Sequence, residues 1–174
     1  MAEHRYPTYI PVPEDHPREP RNLYGKLKRS CEDIGEHYAR TYDLDVIALR
    51  FGSSLGIAKS SENGKPLSPV VRLIEAGIAG HSFRLDCGGD ECDDLCYSGE
   101  AANGYVAALD SPVLTGAFRA FNISSTELIS LRDMVTILKE FYPSLDADVG
   151  SGLDYRKLGA GYYFRMSVQK AQAE

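Results

Sequence analysis

Tyr24 and Lys28 stand one helical turn apart in Asn22-Leu23-Tyr24-Gly25-Lys26-Leu27-Lys28-Arg29-Ser30-Cys31-Glu32. Residues four apart share one face of a helix, so a phenol and an ammonium can point into one site. A free phenol titrates at about pH 10. A neighbouring cation favours the phenolate, and such a pair can act as a general acid/base on an alcohol or a ketone. Spacing by itself is weak evidence. With 11 Tyr in the chain and Lys at about one residue in 25, roughly 0.4 such pairs arise by chance. The bland alternative is a solvated Lys28 beside a half-buried Tyr24.

Other chemistry-bearing groups make a weaker case. Cys87, Cys92 and Cys96 form C-x4-C-x3-C among Asp90, Glu91, Asp93 and Asp94. Three thiolates with carboxylates nearby are zinc-like donors, but the spacing is not that of a zinc knuckle and no fourth Cys or His follows closely. Reduced thiols, and no metal, are the expectation. His4, His16, His37 and His81 are scattered, so no Ser/His/Asp or Cys/His set can be assembled. Asp93 and Asp94 adjoin, and on a strand they would face opposite ways.

The elements that must position these groups follow from the pattern. Five prolines within residues 1–21 predict an extended surface segment. A helix is expected from about Leu23 to Tyr42, with Leu23, Leu27, Ile34, Tyr38 and Tyr42 on its apolar side. Residues 45–51 read as a short buried parallel strand, and 52–66 as a loop. Ser68-Pro69 opens a helix as N-cap and first residue, expected to run to about Ala76 and to end at Gly77 and Gly80. Residues 83–85 and 95–98 are strand candidates, 100–109 a helix and 117–123 a strand. Ser130-x-x-Asp133 starts a further helix. Gly159-x-Gly161 is read as a turn, and a last helix begins near Ser167. Alternating strands and helices imply an α/β layer.

Composition bounds the class. The 174 residues carry a net charge of −6, with 43% hydrophobic and 25% charged residues. That is ordinary for a soluble globular chain and argues against a general nucleic-acid binder, which carries a basic face. The first residues lack the apolar core of a signal peptide and no apolar run approaches a membrane span. The cytoplasm is the expected location.

Several segments together resemble the extended short-chain dehydrogenase/reductase family, the NAD-dependent sugar epimerases and dehydratases. They are Pro13-Glu14-Asp15-His16-Pro17, Tyr24-Gly25-x-x-Lys28-x-x-x-Glu32, Leu49-Arg50-Phe51-Gly52 with Gly56, Asp94-Leu95-Cys96-Tyr97, Ala120-Phe121-Asn122-Ile123 with Leu131, and Ser167-Val168-Gln169-Lys170-Ala171. They stand in family order over nearly the whole chain. The resemblance implies a partial Rossmann-like, doubly wound α/β domain with a small C-terminal substrate-binding lobe. Residues 1–21 would be an extended segment, 22–66 the end of the Rossmann-like part and 67–174 mainly the substrate lobe. It also implies roles. Tyr24 would exchange a proton with a substrate hydroxyl. Lys28 would hold the nicotinamide ribose of NAD or NADP and assist Tyr24, while Glu32 would be structural.

Departures from the family pattern carry information too. The glycine-rich turn that cradles a pyrophosphate does not follow any strand in these 174 residues. The chain therefore reads as the C-terminal part of such an enzyme, without most of its cofactor-binding half. Ser53 stands where the family often has Asn. Asp93 stands where it commonly places an Arg against sugar-nucleotide phosphates, and Glu100 where it often has Asp. Ser53 and Asp93 are the substrate-side candidates, with the substrate a sugar or sugar nucleotide. An acid in place of that Arg disfavours a diphosphate, which leaves a simpler sugar, a uronate or another hydroxy or keto compound equally open.

Two function classes follow. One is an oxidoreductase with Tyr24 and Lys28 at its centre. The other is a non-catalytic remnant or oligomerising module that does not bind dinucleotide. A third, a metal-binding domain on the cysteine loop, is weaker. The family commonly pairs subunits through the tyrosine helix, so a homodimer through residues 23–42 is expected. A lobe of this kind should also expose Val46, Ile47, Leu49 and the Leu27/Ile34 stripe.

Overall fold

The computed structural model describes residues 11–20, 22–56, 68–155 and 165–174. The predicted turn at Gly159–Gly161, most of the 52–66 loop, and residues 1–10 and 21 of the N-terminal segment lie outside them.

The sheet that carries the tyrosine helix is parallel. Strand β2 (Val46–Phe51) pairs with β6 (Phe118–Ile123) in the register Val46↔Phe118 to Phe51↔Ile123. Its sequence, VIALRF, is nearly continuously apolar because both faces are covered. Helix α1 (Leu23–Tyr42) covers one face and α3 (Ser98–Asp110) the other. Alternation along β2 assigns the sides. Val46 lies 3.3 Å from where a Cβ on Gly35 of α1 would stand, and Arg50 meets Glu32 of α1. Phe51 instead stacks on Tyr105 of α3, with ring centroids 5.3 Å apart. Val46, Ile47 and Leu49 are half-buried. This corrects the expectation that they are exposed, because β6 and the two helices cover them.

The lobe is built from α2 (Pro69–Ala79), β4 (Phe83–Leu85), α4 (Leu131–Phe141) and β8 (Ala147–Val149). β4 and β8 pair in parallel. Between them lies one apolar cluster of Val70, Leu73, Ala76, Phe83, Leu131, Val135, Leu145, Val149 and Tyr155. Helix α2 runs past its expected end at Ala76 and closes at Gly80, which adopts φ 67°. Gly77 sits inside it, where a Cβ would come within 3.1 Å of the Tyr142 ring. That glycine is there for helix packing and does not stop the helix. Ser130 caps α4 as expected, its side chain accepting from the Asp133 amide at 3.0 Å.

Short strands link the two regions. β3 (Ser53–Leu55), expected as loop, pairs in parallel with β5 (Cys92–Tyr97). β5 begins three residues earlier than predicted and also pairs, antiparallel, with β7 (Leu128–Ser130). Gly52 allows this approach, since a Cβ there would stand 2.4 Å from the Asp94 carbonyl oxygen. β1 (Pro11–Val12) pairs with β9 (Arg165–Met166), just before α5 (Gln169–Ala173). The β2–β6 pair spans the expected boundary at residue 66, so the sheet layer draws on both sides of it.

Candidate active site

Helix α1 starts where the Asn22 side chain accepts the Gly25 amide at 2.7 Å, an N-cap that satisfies one of the open donors of the first turn. One turn in, the Lys28 Nζ stands 5.6 Å from the centroid of the Tyr24 ring. The two side chains therefore share one face, with Tyr24 71% exposed. Lys28 lines a cleft of about 420 Å³ with Gly25, Glu32, Phe51, Asn122 and Met166. Residues 12–20 form its other wall.

That wall is no free surface segment. Its strand β1 is held by β9, and the Glu14 carboxylate accepts from the Asn122 amide at 2.8 Å. Asn122 is buried, and its side-chain amide donates to the Val12 and Ser167 carbonyls at 3.0 and 3.1 Å. The Glu14 carbonyl accepts from Arg50 at 2.9 Å. For residues 11–20 the predicted extended surface segment is thus a largely exposed strap, pinned because its backbone groups find partners on the sheet and helix.

Glu32 is the hub beneath it. Arg50 donates to both of its oxygens, at 2.9 and 2.7 Å, and Arg18 donates at 2.7 Å. Burial alone would raise the Glu32 carboxyl; the two guanidinium groups outweigh it and hold the group below its ordinary range. The hydrogen bonds to Glu32 correspondingly raise Arg50. Arg50 gave the one available sequence signal, a charge placed on the helix-facing side of an otherwise apolar strand. Nothing in the sequence showed that Arg18 would join it.

Ser53 and Asp93 come together through the β3–β5 pairing, the Ser53 hydroxyl donating to Asp93 at 3.4 Å. The hydroxyl of the buried Tyr155 donates to the other Asp93 oxygen. Sequence reasoning missed Tyr155, which lies at the edge of the glycine-rich C-terminal stretch. Asp94 turns the opposite way, to Ser124 and to the Met166 amide at 2.6 Å, and burial raises its carboxyl. Met166 ties this group to the Lys28 cleft, lining that cleft while its Cε stands 3.5 Å from the Cβ position of Gly52. Glu100 accepts the Tyr97 amide at 3.1 Å and so secures the start of α3.

The cysteine loop does not assemble a zinc site. Cys92 and Cys96 lie four residues apart on one strand, a rise of about 13 Å at ~3.3 Å per residue, too far for one ion. Among the described residues no group of three or more His, Cys, Asp or Glu is placed to hold a metal. Cys96 is buried, and burial first, then the Glu100 and Asp94 carboxylates, push its thiol up. Among the described residues no helix is long and apolar enough to cross a membrane.

A parallel strand pair between helices, with a Tyr-x-x-x-Lys helix bordering a cleft at its edge, defines an α/β protein of partial Rossmann-like type. The chain belongs to the NAD dependent epimerase/dehydratase family, which matches residues 3–124. UDP-glucose 4-epimerase of Corynebacterium glutamicum is 26% identical over 148 residues, 80% of this chain and 45% of that protein. The mitochondrial L-threonine 3-dehydrogenase of Bos taurus is 24% identical over 115 residues, 66% of this chain and 31% of that one. The fold is shared with UDP-glucose 4-epimerase of Thermotoga maritima solved with UDP-glucose. There the TM-score is 0.80 at 20% identity, over 98% of this chain and 52% of the other. UDP-N-acetylglucosamine 4-epimerase of Methanobrevibacter ruminantium, in complex with UDP-N-acetylmuramic acid, gives 0.80 at 18%, over 95% and 51%. The chain thus spans about half the length of these epimerases and about a third of the dehydrogenase.

Proposed function

We propose that this chain supplies the acid/base helix and the substrate lobe of an NAD(P)-dependent epimerase/dehydratase-type oxidoreductase acting on the hydroxyl or keto group of a sugar or sugar nucleotide. The observation that carries it is the Tyr24/Lys28 face, with Lys28 on the wall of the strap-bounded cleft. Tyr24, exposed at the start of α1, is the group that takes a proton from a substrate hydroxyl or returns one to a carbonyl. Lys28 places a positive charge one turn away, where it stabilises negative charge developing on the phenol oxygen and can donate to ribose hydroxyls. NAD(P), when bound, supplies the hydride acceptor and donor. The residues present fit its nicotinamide-ribose end; the pyrophosphate needs a glycine-rich turn and helix N-terminus that these residues do not provide. Ser53 and Asp93 face the substrate's remote part. The Asp93 carboxylate repels a diphosphate, which favours a sugar carrying hydroxyl donors there.

In a chimera that joins this chain to a family member's cofactor half, Tyr24→Phe should cut turnover by roughly 10²–10⁴-fold and leave cofactor affinity nearly unchanged. Undiminished turnover in the Phe variant would reduce Tyr24 to a packing role. The chain alone should give no micromolar complex with NAD(H) in calorimetry; observing one would show that a pyrophosphate site exists without the glycine-rich turn.

The second reading is an oligomerising module, favoured by the outward face of α1. Leu23, Leu27, Ile34, Tyr38 and Tyr42 all lie exposed along it, a surface suited to pairing two copies helix against helix. In this reading the module is non-catalytic and binds no dinucleotide, so the Tyr24→Phe chimera separates it from the first.

A further inference from the structure

Two clefts adjoin the strap of residues 13–20. The smaller holds Lys28, and the larger, about 750 Å³, is lined by strap residues together with Arg29, Arg50, Phe118, Ala120 and Lys170. Pro13, His16, Pro17, Arg18, Arg29 and Arg50 border both. The strap, with Arg29 and Arg50, is therefore part of the partition between them, and its position bears on the shape of the Lys28 cleft.

Two sets of contacts hold that partition. At its beginning, Glu14 is fixed by the Asn122 amide and by Arg50. At its far end, Arg18 forks across α1, one nitrogen on Glu32 at 2.7 Å and another on Asp33 at 3.0 Å, while its carbonyl accepts from Arg29 at 2.9 Å. In between, the described backbone contact is a local turn, His16 amide to Pro13 carbonyl at 3.2 Å. Arg50 reaches the first set and Glu32 at once, and Arg18 reaches Glu32 from the second. Each set thus has one arginine that also reaches the Glu32 carboxylate.

We infer that Glu32 is a positioning residue for the site: it locks the strap through Arg18 and Arg50 and so fixes the wall opposite Lys28. An ordinary exposed ion pair would not do this, being screened and loosely held. The Glu32 side chain is only 16% exposed and accepts from both guanidinium groups, one of them in the two-pronged geometry that gives charge-assisted pairs their directionality. Losing it weakens both anchors together, leaving Arg18 on Asp33 alone and Arg50 on the Glu14 carbonyl alone, so the strap is held less firmly and the Lys28 cleft changes shape. The inference rests on the reading of Lys28 as a site residue, but its test reads the strap itself and so can fail separately.

The test uses the whole chain. Amide exchange by NMR at His16 and Asn122 reports the strap, exchange in α2 and α4 reports the lobe, and the signal of reductively methylated Lys28 reports the cleft. Glu32→Gln and Arg18→Met should each speed strap exchange at least tenfold, leave α2 and α4 within about twofold, and shift the Lys28 signal. Arg18→Lys, which keeps one charged contact, should restore part of the protection and return the Lys28 signal toward its wild-type position. Strap exchange unchanged in both variants would overturn the inference, and so would a loosened strap with an unmoved Lys28 signal. Where Glu32→Gln loosens the whole fold, Arg18→Met, which leaves the Glu32–Arg50 pair in place, decides: a strap still protected there overturns it.

Discussion

Around α2 and α4 the chain buries nine residues in one continuous apolar cluster. Beneath α1 the buried apolar set shrinks to Ala39 on the helix and Ala120 on β6. There the contacts that set geometry are charged: Arg18 and Arg50 on Glu32, Glu14 on Asn122, Arg29 and Arg18 on Asp33. The lobe is held by burial, which is tolerant of angle. The site region is held by directional bonds, which fix side chains within narrow limits. A catalytic tyrosine and lysine need the second kind of support, and the reading of Tyr24 and Lys28 gains from finding it directly under them.

The sharpest break of this comparison is in the lobe. Leu73 has no exposed surface and lies in the middle of the cluster. Leu73→Ala should cost about 2–5 kcal/mol, the lost transfer energy plus a residual cavity. The strap contacts, which involve none of the cluster's residues, should stay native until the lobe unfolds. Denaturant titration followed with a probe in the lobe and another on the strap checks this. A strap that loosens in parallel would mean that the two regions form one cooperative unit.

Acid should act in the reverse order. The Glu32 carboxyl titrates lower in the fold than in an unfolded chain. Its stabilisation is therefore complete above the ordinary carboxylate range, about pH 4.3 for Glu, and is lost as pH falls through the folded value. Asp94 has the opposite sign. Burial raises it, so its effect favours the fold most at low pH and turns against it as pH rises through the folded value. Asp90, lowered by the Gly152 amide and then by Arg132, and Asp146, lowered by Arg84, share the sign of Glu32. Both lie in solvent, where such pairs are screened. Below about pH 4 the strap should therefore release first, with the lobe still folded. Amide exchange measured across that range checks it, and simultaneous loss of both regions would erase the distinction.

How much of this was legible in the sequence differs between the two regions in the same way. The lobe's helices announce themselves through local chemistry: Ser68-Pro69, Ser130 with Asp133, and apolar spacing. The misjudged end of α2 came from reading Gly77 as a stop when the demand on it is the Tyr142 ring. β2 was legible from its unbroken apolar run. β1, β3, β7, β8 and β9 were not, because two- and three-residue strands carry too little periodicity and exist only through their partners. At the site, Tyr24, Lys28 and Glu32 were visible as a spaced motif on one helix. The Arg18–Glu32–Arg50 hub joins residues 14 and 18 apart in sequence, and Tyr155 meets Asp93 across 62; no local pattern encodes such meetings.

The smallest effect on stability, and the most telling for the α1 layer, concerns its outer face. Leu27 is 58% exposed and Ile34 57% exposed, with Leu23, Tyr38 and Tyr42 along the same side. The Leu27/Ile34 stripe is thus exposed as expected, while the sheet packs on α1 through Gly35, Ala39 and Glu32. A contiguous apolar face on an otherwise charged helix is normally covered, and a second copy of α1 would cover it symmetrically. Leu27→Gln with Ile34→Gln touches no buried contact, so the midpoint of a dilute thermal melt should correspond to a change within about 0.5 kcal/mol. Association should change instead. Sedimentation at rising concentration is expected to show dimers for the natural chain and monomers for the double variant, with dye binding to apolar surface lowered to match. A natural chain that stays monomeric at high concentration, without binding dye, would mean that this face is tolerated in water and that α1 has no partner there.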